Sequence, residues 1–195
     1  INGTIQASYT YYPYLGPITE EIVKEEALLG VSMTGMMDTP EITFNPELQR
    51  KGAREVLKVT EKIAKLIGIK TSARSTCIKP AGSVSCVLGS SSGIHPHHAK
   101  RYFRRIQANN LEFDLNHFNK VNPMAVEKSV WSSNNTDHVI TFLCDVPPGS
   151  ITKNQMSAID LLEKVKLTQQ NWVEAGTNID RCARPYLRHN VSNTI

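Results

Sequence analysis

The residues Lys79-Pro80-Ala81-Gly82-Ser83-Val84-Ser85 bring together the groups that hold an anion: a cation, a glycine turn and two hydroxyls. Pro80 fixes its own φ and pushes Lys79 toward an extended backbone. It also suits the first turn of a helix, where the amide it lacks would have no partner. Gly82 carries no side chain, so a bound group can approach the backbone closely. Amides at the start of a helix, beside Lys79 and the hydroxyls of Ser83 and Ser85, suit a phosphate. The plainer reading of the same residues is a capped helix with a glycine turn and no ligand. Neither the Gly-x-x-x-x-Gly-Lys-Ser/Thr loop nor the Gly-x-Gly-x-x-Gly fingerprint is present.

Other residues invite chemistry more weakly. His95, His97 and His98 flank Pro96, and with Cys86 they could be drawn as a metal site. Such a site needs side chains converging on one point with a fourth ligand, and no standard spacing supports it. A polar turn at the mouth of the site is the expectation, with no metal. Lys100, Arg101, Arg104 and Arg105 read as a solvated basic face, or as a run of which one member meets a phosphate. Tyr9, Tyr11, Tyr12 and Tyr14 could stack on bases, but packing at a domain edge is the plainer role. Cys77, Cys86, Cys144 and Cys182 are widely spaced with no Cys-x-x-Cys, so buried free thiols are expected.

The elements that must position these residues follow from periodicity and punctuation. Thr19 to Leu29 predicts a helix capped by Thr19, with Glu20 and Glu21 in its first turn. Leu28 to Met37, with glycines at Gly30 and Gly35, reads as a buried apolar segment with close backbone packing. Asn45-Pro46-Glu47 starts a helix whose apolar face runs from Leu48 to Ile67 and which Gly68 stops. Cys77 and Ile78 form a short strand before the loop. Val84, Val87 and Leu88 give the next helix an apolar side, and Gly89 ends it. Residues 109–135 read as a surface excursion with one short helix at Pro123 to Val130. Thr136 to Val146 is a strand. Thr152 caps a long helix from Asn154 to Ala175, and Leu187 to Ile195 begins a strand. Strand and helix in alternation argue an α/β domain with largely parallel pairing.

The chain has 195 residues, with 22 basic and 18 acidic side chains and a net charge of +4. That length supports one domain with a sizeable core. The mild positive excess suits an anionic small molecule and does not demand nucleic acid. No apolar run is long enough to span a bilayer and no signal peptide is visible, so no membrane association and a cytoplasmic location are expected. The chain opens on Ile1 in what reads as the middle of a helix and closes on Ile195 inside a strand. Residues 1–195 are therefore expected to be a single partial domain, cut at both ends from a larger protein.

Lys79 to Ser85, followed by Ser91-Ser92-Gly93-Ile94-His95-Pro96, resembles the substrate-phosphate loop of ribonucleotide reductases, and most closely the adenosylcobalamin-dependent ribonucleoside-triphosphate reductases. Gly3-Thr4-Ile5-Gln6-Ala7-Ser8, Glu25 through Asp38, and Arg188 through Ile195 resemble the same family in order and spacing. The resemblance implies an oxidoreductase, a radical enzyme of deoxyribonucleotide biosynthesis and DNA replication. It implies a ten-stranded α/β barrel of two half-barrels, of which this chain is part of the second. It also implies adenosylcobalamin, a ribonucleoside triphosphate substrate, a dNTP effector, a thioredoxin-type reductant and the remainder of the reductase chain.

In that family a thiyl radical at the tip of a central loop abstracts the 3′ hydrogen of the ribose, and a cysteine pair reduces the sugar. The radical cysteine sits in an Asn-Pro-Cys-Gly-Glu type motif, which none of the four cysteines here has. The resemblance therefore assigns no catalytic residue to this segment. It carries over Pro80, Ala81, Gly82, Ser83, Val84 and Ser85 as the phosphate grip, with Lys79 beside them. His95 stands where other branches of the family have a glutamate. The isolated chain is expected to show no turnover. The alternatives are a non-catalytic nucleotide-binding module and a large-subunit piece of a di-iron-dependent reductase.

Overall fold

The computed structural model describes residues 1–195. Its elements, in chain order, are α1 (Asn2–Gln6), α2 (Gly16–Glu26), α3 (Pro40–Thr43), α4 (Pro46–Ile67), α5 (Ser83–Leu88), β1 (Arg101–Asn109), α6 (Phe113–Val121), β2 (Val126–Lys128), β3 (Asp137–Asp145) and α7 (Ala158–Thr168). They divide into two units, one of Ile1–His97 with Pro147–Ile195, the other of His98–Val146. No helix is long and apolar enough to cross a membrane.

In the first unit, α4 begins where its residues dictate. Asn45 Oδ1 accepts from the amides of Glu47 and Leu48, and Pro46 occupies the first turn. Gly68 closes it in the left-handed conformation, its amide donating to Ala64 O. Beside α4 three extended segments run parallel. The amide of Val31 donates to Ser75 O and that of Cys77 to Val31 O. The amide of Ile78 donates to Asn190 O and that of Ser192 to Ile78 O. The order is therefore 31, then 76 to 78, then 191, each step a short bridge. Parallel pairing is present, but as these bridges and not as the regular strand expected at Leu187–Ile195. The one regular sheet of the chain is antiparallel, with order β1-β3-β2.

The core of this unit gathers Met36, Met37, Phe44, Ala53, Ile78, Ile94, Leu161, Trp172, Val173 and Val191. Trp172 lies across it and donates from Nε1 to Cys77 O at 3.0 Å. Removing such a side chain to alanine costs about 3–5 kcal/mol. Gly176 packs directly on Thr76, whose Oγ1 also donates to Trp172 O at 2.7 Å.

Three predicted helices of this unit differ. The helix expected from Thr19 starts earlier, at Gly16, because Pro17 fits its first turn, and Thr19 instead donates back to Leu15 O. The long helix expected from Asn154 to Ala175 is broken. Thr152 and Gln155 close a capping box on a single 3₁₀ turn, Met156 is extended, and Ser157 with Asp160 forms a second box that starts α7. Its continuation, Gln169–Val173, is a π-type turn. The side of α5 expected to be apolar, Val84, Val87 and Leu88, faces solvent, and the buried residue of this short helix is Ser85.

In the second unit β1 pairs with β3 from Arg101↔Asp145 to Asn109↔Asp137, and Val126 of β2 pairs with Ile140. One face is covered by α6, whose Leu115 and Phe118 pack on Ala108, Ile140 and Val126. The helix thus lies at Phe113–Val121. The stretch from Pro123, expected to be helical, gives one 3₁₀ turn and then β2, because Val126 is taken by cross-strand pairing.

Candidate functional site

The loop Lys79–Ser85 leaves the end of the extended segment 74–78 and turns into α5 at Gly82, whose φ of 50° and ψ of −126° only glycine adopts without strain. Lys79, Pro80, Gly82 and Ser83 are exposed. The amide of Lys79 donates to Ser32 Oγ at 3.0 Å and that of Ala81 to Ser92 Oγ at 2.9 Å. The amides of Gly82 and Ser83 meet no acceptor of the chain. Ser85 Oγ is buried and donates to Gly82 O at 2.7 Å, so this hydroxyl braces the turn from within. Two unpaired amides on an exposed turn that follows the exposed Lys79 make a surface complementary to an anion.

Behind the loop lies the segment Ser90–His95. Gly93 faces the loop backbone so closely that a Cβ there would stand 2.7 Å from Lys79 O. Behind that segment the turn 34–38 binds it in turn. Thr34 Oγ1 donates to Ser91 O and accepts from the amide of Gly93, and the amides of Gly35 and Met37 donate to Ser91 O and Ser91 Oγ. Asp38 accepts from the amide of Ser91 and lies 2.6 Å from Nε2 of the buried His97. The backbone of His97 then joins Ile151 and Lys153. The apolar stretch around Gly35 therefore holds the site in place, a role its composition alone did not show.

The histidines do not converge. His97 pairs with Asp38, and His95 is held by Ser92 and Thr194. No group of three His, Cys, Asp or Glu side chains could hold a metal. Of the basic run, Arg101 pairs with Asp145 at 2.6 Å, Arg105 pairs with Glu127, and Arg104 lies over the Tyr102 ring. These are the contacts of a solvated face on a sheet. Tyr9 and Tyr12 line a cavity of about 310 Å³ with Leu29, Gly30 and Val31, and all four tyrosines of this segment are exposed.

None of the four cysteines forms a disulfide; Cys77 is buried and the other three are half-buried. Burial pushes the Cys77 thiol up, against a smaller opposing pull from Lys79. A thiol so disposed is a poor thiolate and packs as an apolar group. At the other end of segment 74–78, Arg74 pairs with the buried Glu26 at 2.6 Å. Burial, and then the Arg74 charge, hold His189 below its usual value.

No family profile matches the chain. A stretch of 131 residues is 25% identical to the adenosylcobalamin-dependent ribonucleoside-triphosphate reductase of Lactobacillus delbrueckii subsp. bulgaricus, covering 53% of this chain and 18% of that protein. The enzyme of the same name from Lactobacillus leichmannii is 25% identical over 126 residues, covering 50% and 17%. The chain thus spans less than one fifth of the length of these relatives. A crystal structure of a B12-dependent class II ribonucleotide reductase matches with a TM-score of 0.67 at 19% identity, over 88% of this chain and 28% of that one. At that identity the likeness is one of fold. In sequence over half its length, and in fold over most of it, the chain is similar to part of the adenosylcobalamin-dependent ribonucleoside-triphosphate reductases.

Proposed function

We propose that this chain is a segment of an adenosylcobalamin-dependent reductase that converts ribonucleoside triphosphates to deoxyribonucleotides, and that Lys79 to Ser85 hold the substrate phosphates. The observation that carries the loop's role is its exposed turn. The amides of Gly82 and Ser83 lack acceptors, while those of Lys79 and Ala81 are tied down from behind. A phosphate oxygen placed before the loop receives both free N–H groups, and Lys79 adds its charge. Ser83 offers a hydroxyl, and Ser85 keeps the Gly82 carbonyl turned inward, away from the anion.

Adenosylcobalamin supplies radical chemistry in such an enzyme. The resemblance assigns it no thiol partner here, since none of the four cysteines stands in an Asn-Pro-Cys-Gly-Glu type motif, and Cys77 is shut behind Gly30, where a Cβ would stand 2.8 Å from its Sγ. The work of this chain in the reaction is binding and orientation of the phosphates, and the barrel that the radical loop would thread is completed by the rest of the enzyme. In the intact reductase, Gly82→Asp sets a carboxylate before the phosphates and is expected to raise KM for the nucleotide by about tenfold or more, with a smaller change in kcat. An unchanged KM overturns the loop's role.

A further inference from the structure

Resting on the phosphate-loop reading above, we infer that His95 is a positioning residue for that loop, holding Ser92 beneath Ala81 through one fixed ring tautomer. The amide of Thr194 donates to Nε2 of His95 at 2.9 Å, so Nε2 offers its lone pair. The ring proton therefore sits on Nδ1, which lies 3.0 Å from Ser92 O and donates to it. The same carbonyl accepts the amide of His95 itself at 3.0 Å, closing the turn from Ser92 to His95 from two sides. Ser92 then reaches the loop, its Oγ accepting from the Ala81 amide at 2.9 Å.

Only two hydrogen bonds tie the amides of Lys79 to Gly82 from behind, one from Ser32 and one from Ser92. The second is continuous with His95. The backbone contact of Gly93 with Lys79 and Pro80 passes any shift of this turn to the loop, since the surfaces there are already in contact. His95 also joins the loop to Thr194, beside the extended segment 190–192. An imidazole suits this place because it presents a donor and an acceptor about one ring apart, and the two neighbours require one of each.

The donor and the acceptor can be removed separately. Asparagine places an N–H near Nδ1 and loses the distant acceptor; glutamine reaches the Nε2 position with an acceptor and loses the near donor. In the intact reductase, His95→Gln is expected to raise KM for the ribonucleoside triphosphate about tenfold with kcat within about twofold, and His95→Asn to raise KM less than about threefold. Inorganic tripolyphosphate as a competitive inhibitor should weaken in parallel with the nucleotide, because the loop meets only phosphate. Ser92→Ala should act like His95→Gln, and it decides the matter if the glutamine variant does not fold. Unchanged KM in His95→Gln or in Ser92→Ala, while Gly82→Asp still raises it, overturns the role of His95 and leaves the loop reading intact. Unchanged KM in Gly82→Asp overturns the loop reading itself. A collapse of kcat at unchanged KM also overturns the inference, because it places His95 in the chemistry.

Discussion

At Gly176 an added Cβ would stand 2.0 Å from Thr76 Oγ1, whereas at Gly82 it would meet no atom within 4 Å. The two glycines sit by opposite ends of one extended stretch, residues 74–82. Around Thr76 the space is filled: its hydroxyl bonds Trp172 O, the indole N–H bonds Cys77 O, and Gly176 leaves no room for a Cβ. Around Gly82 space is open and the constraint is the backbone, with its φ of 50° and two free amides. The crowded end fixes where the chain goes, and the open end uses that fixed position to present groups outward. A glycine kept for room and a glycine kept for conformation leave different traces when replaced.

Gly176→Ala should have the largest effect. Its methyl group would meet Thr76 Oγ1, the same oxygen that donates to Trp172 O, so relief requires moving Thr76 and breaking that bond, or moving the π-type turn. A loss of about 3 kcal/mol, at the top of the usual overpacking range, would lower Tm by roughly 6–12 °C in a chain of this size. A thermal melt checks this, and an unchanged Tm would mean that the crowded end is looser than described. Gly82→Ala should be milder in stability, about 1–2 kcal/mol of backbone strain, since no neighbour is displaced. If its melt drops as far as that of Gly176→Ala, the contrast between the two ends fails.

The smallest effect concerns His189, near the crowded end. Burial and the neighbouring Arg74 hold it below its ordinary 6.5, so below that pH the unfolded chain binds a proton that the folded chain resists. The stability this residue contributes is fully present above pH 6.5 and is lost as the pH falls toward its folded value. Tm measured across this range should slope downward with acidification, and His189→Gln should flatten the slope.

Much of this was legible in the sequence, for reasons that differ by residue. Asn45, Pro46 and Gly68 bound α4 because caps are local chemistry, decided by a few neighbouring atoms. The turn at Gly82 was legible for the same reason. The strand at β3 followed from a run of β-branched and aromatic residues. What failed depended on partners distant in sequence. Val126 is in a strand because Ile140 is opposite it, and the segment leading into the turn 34–38 pairs only briefly, by Val31 with Thr76. At Thr152 the cap was read correctly, but the second box at Ser157 restarted the chain five residues on. In the site, the exposed loop could be read from its residues. The role of Ser92 and Thr34 behind it could not, because serine and threonine in a loop have many uses and only the fold picks one.

The excursion of residues 98–146 leaves and returns at paired points. The amide of Val146 donates to Lys100 O within the excursion, and His97 bridges Thr152 on the other side of the junction. Each unit thus closes its end of the connection with hydrogen bonds of its own, which marks the exposed turn at residues 130–135 of the excursion as a place where a fluorescent tag or an affinity handle could be spliced.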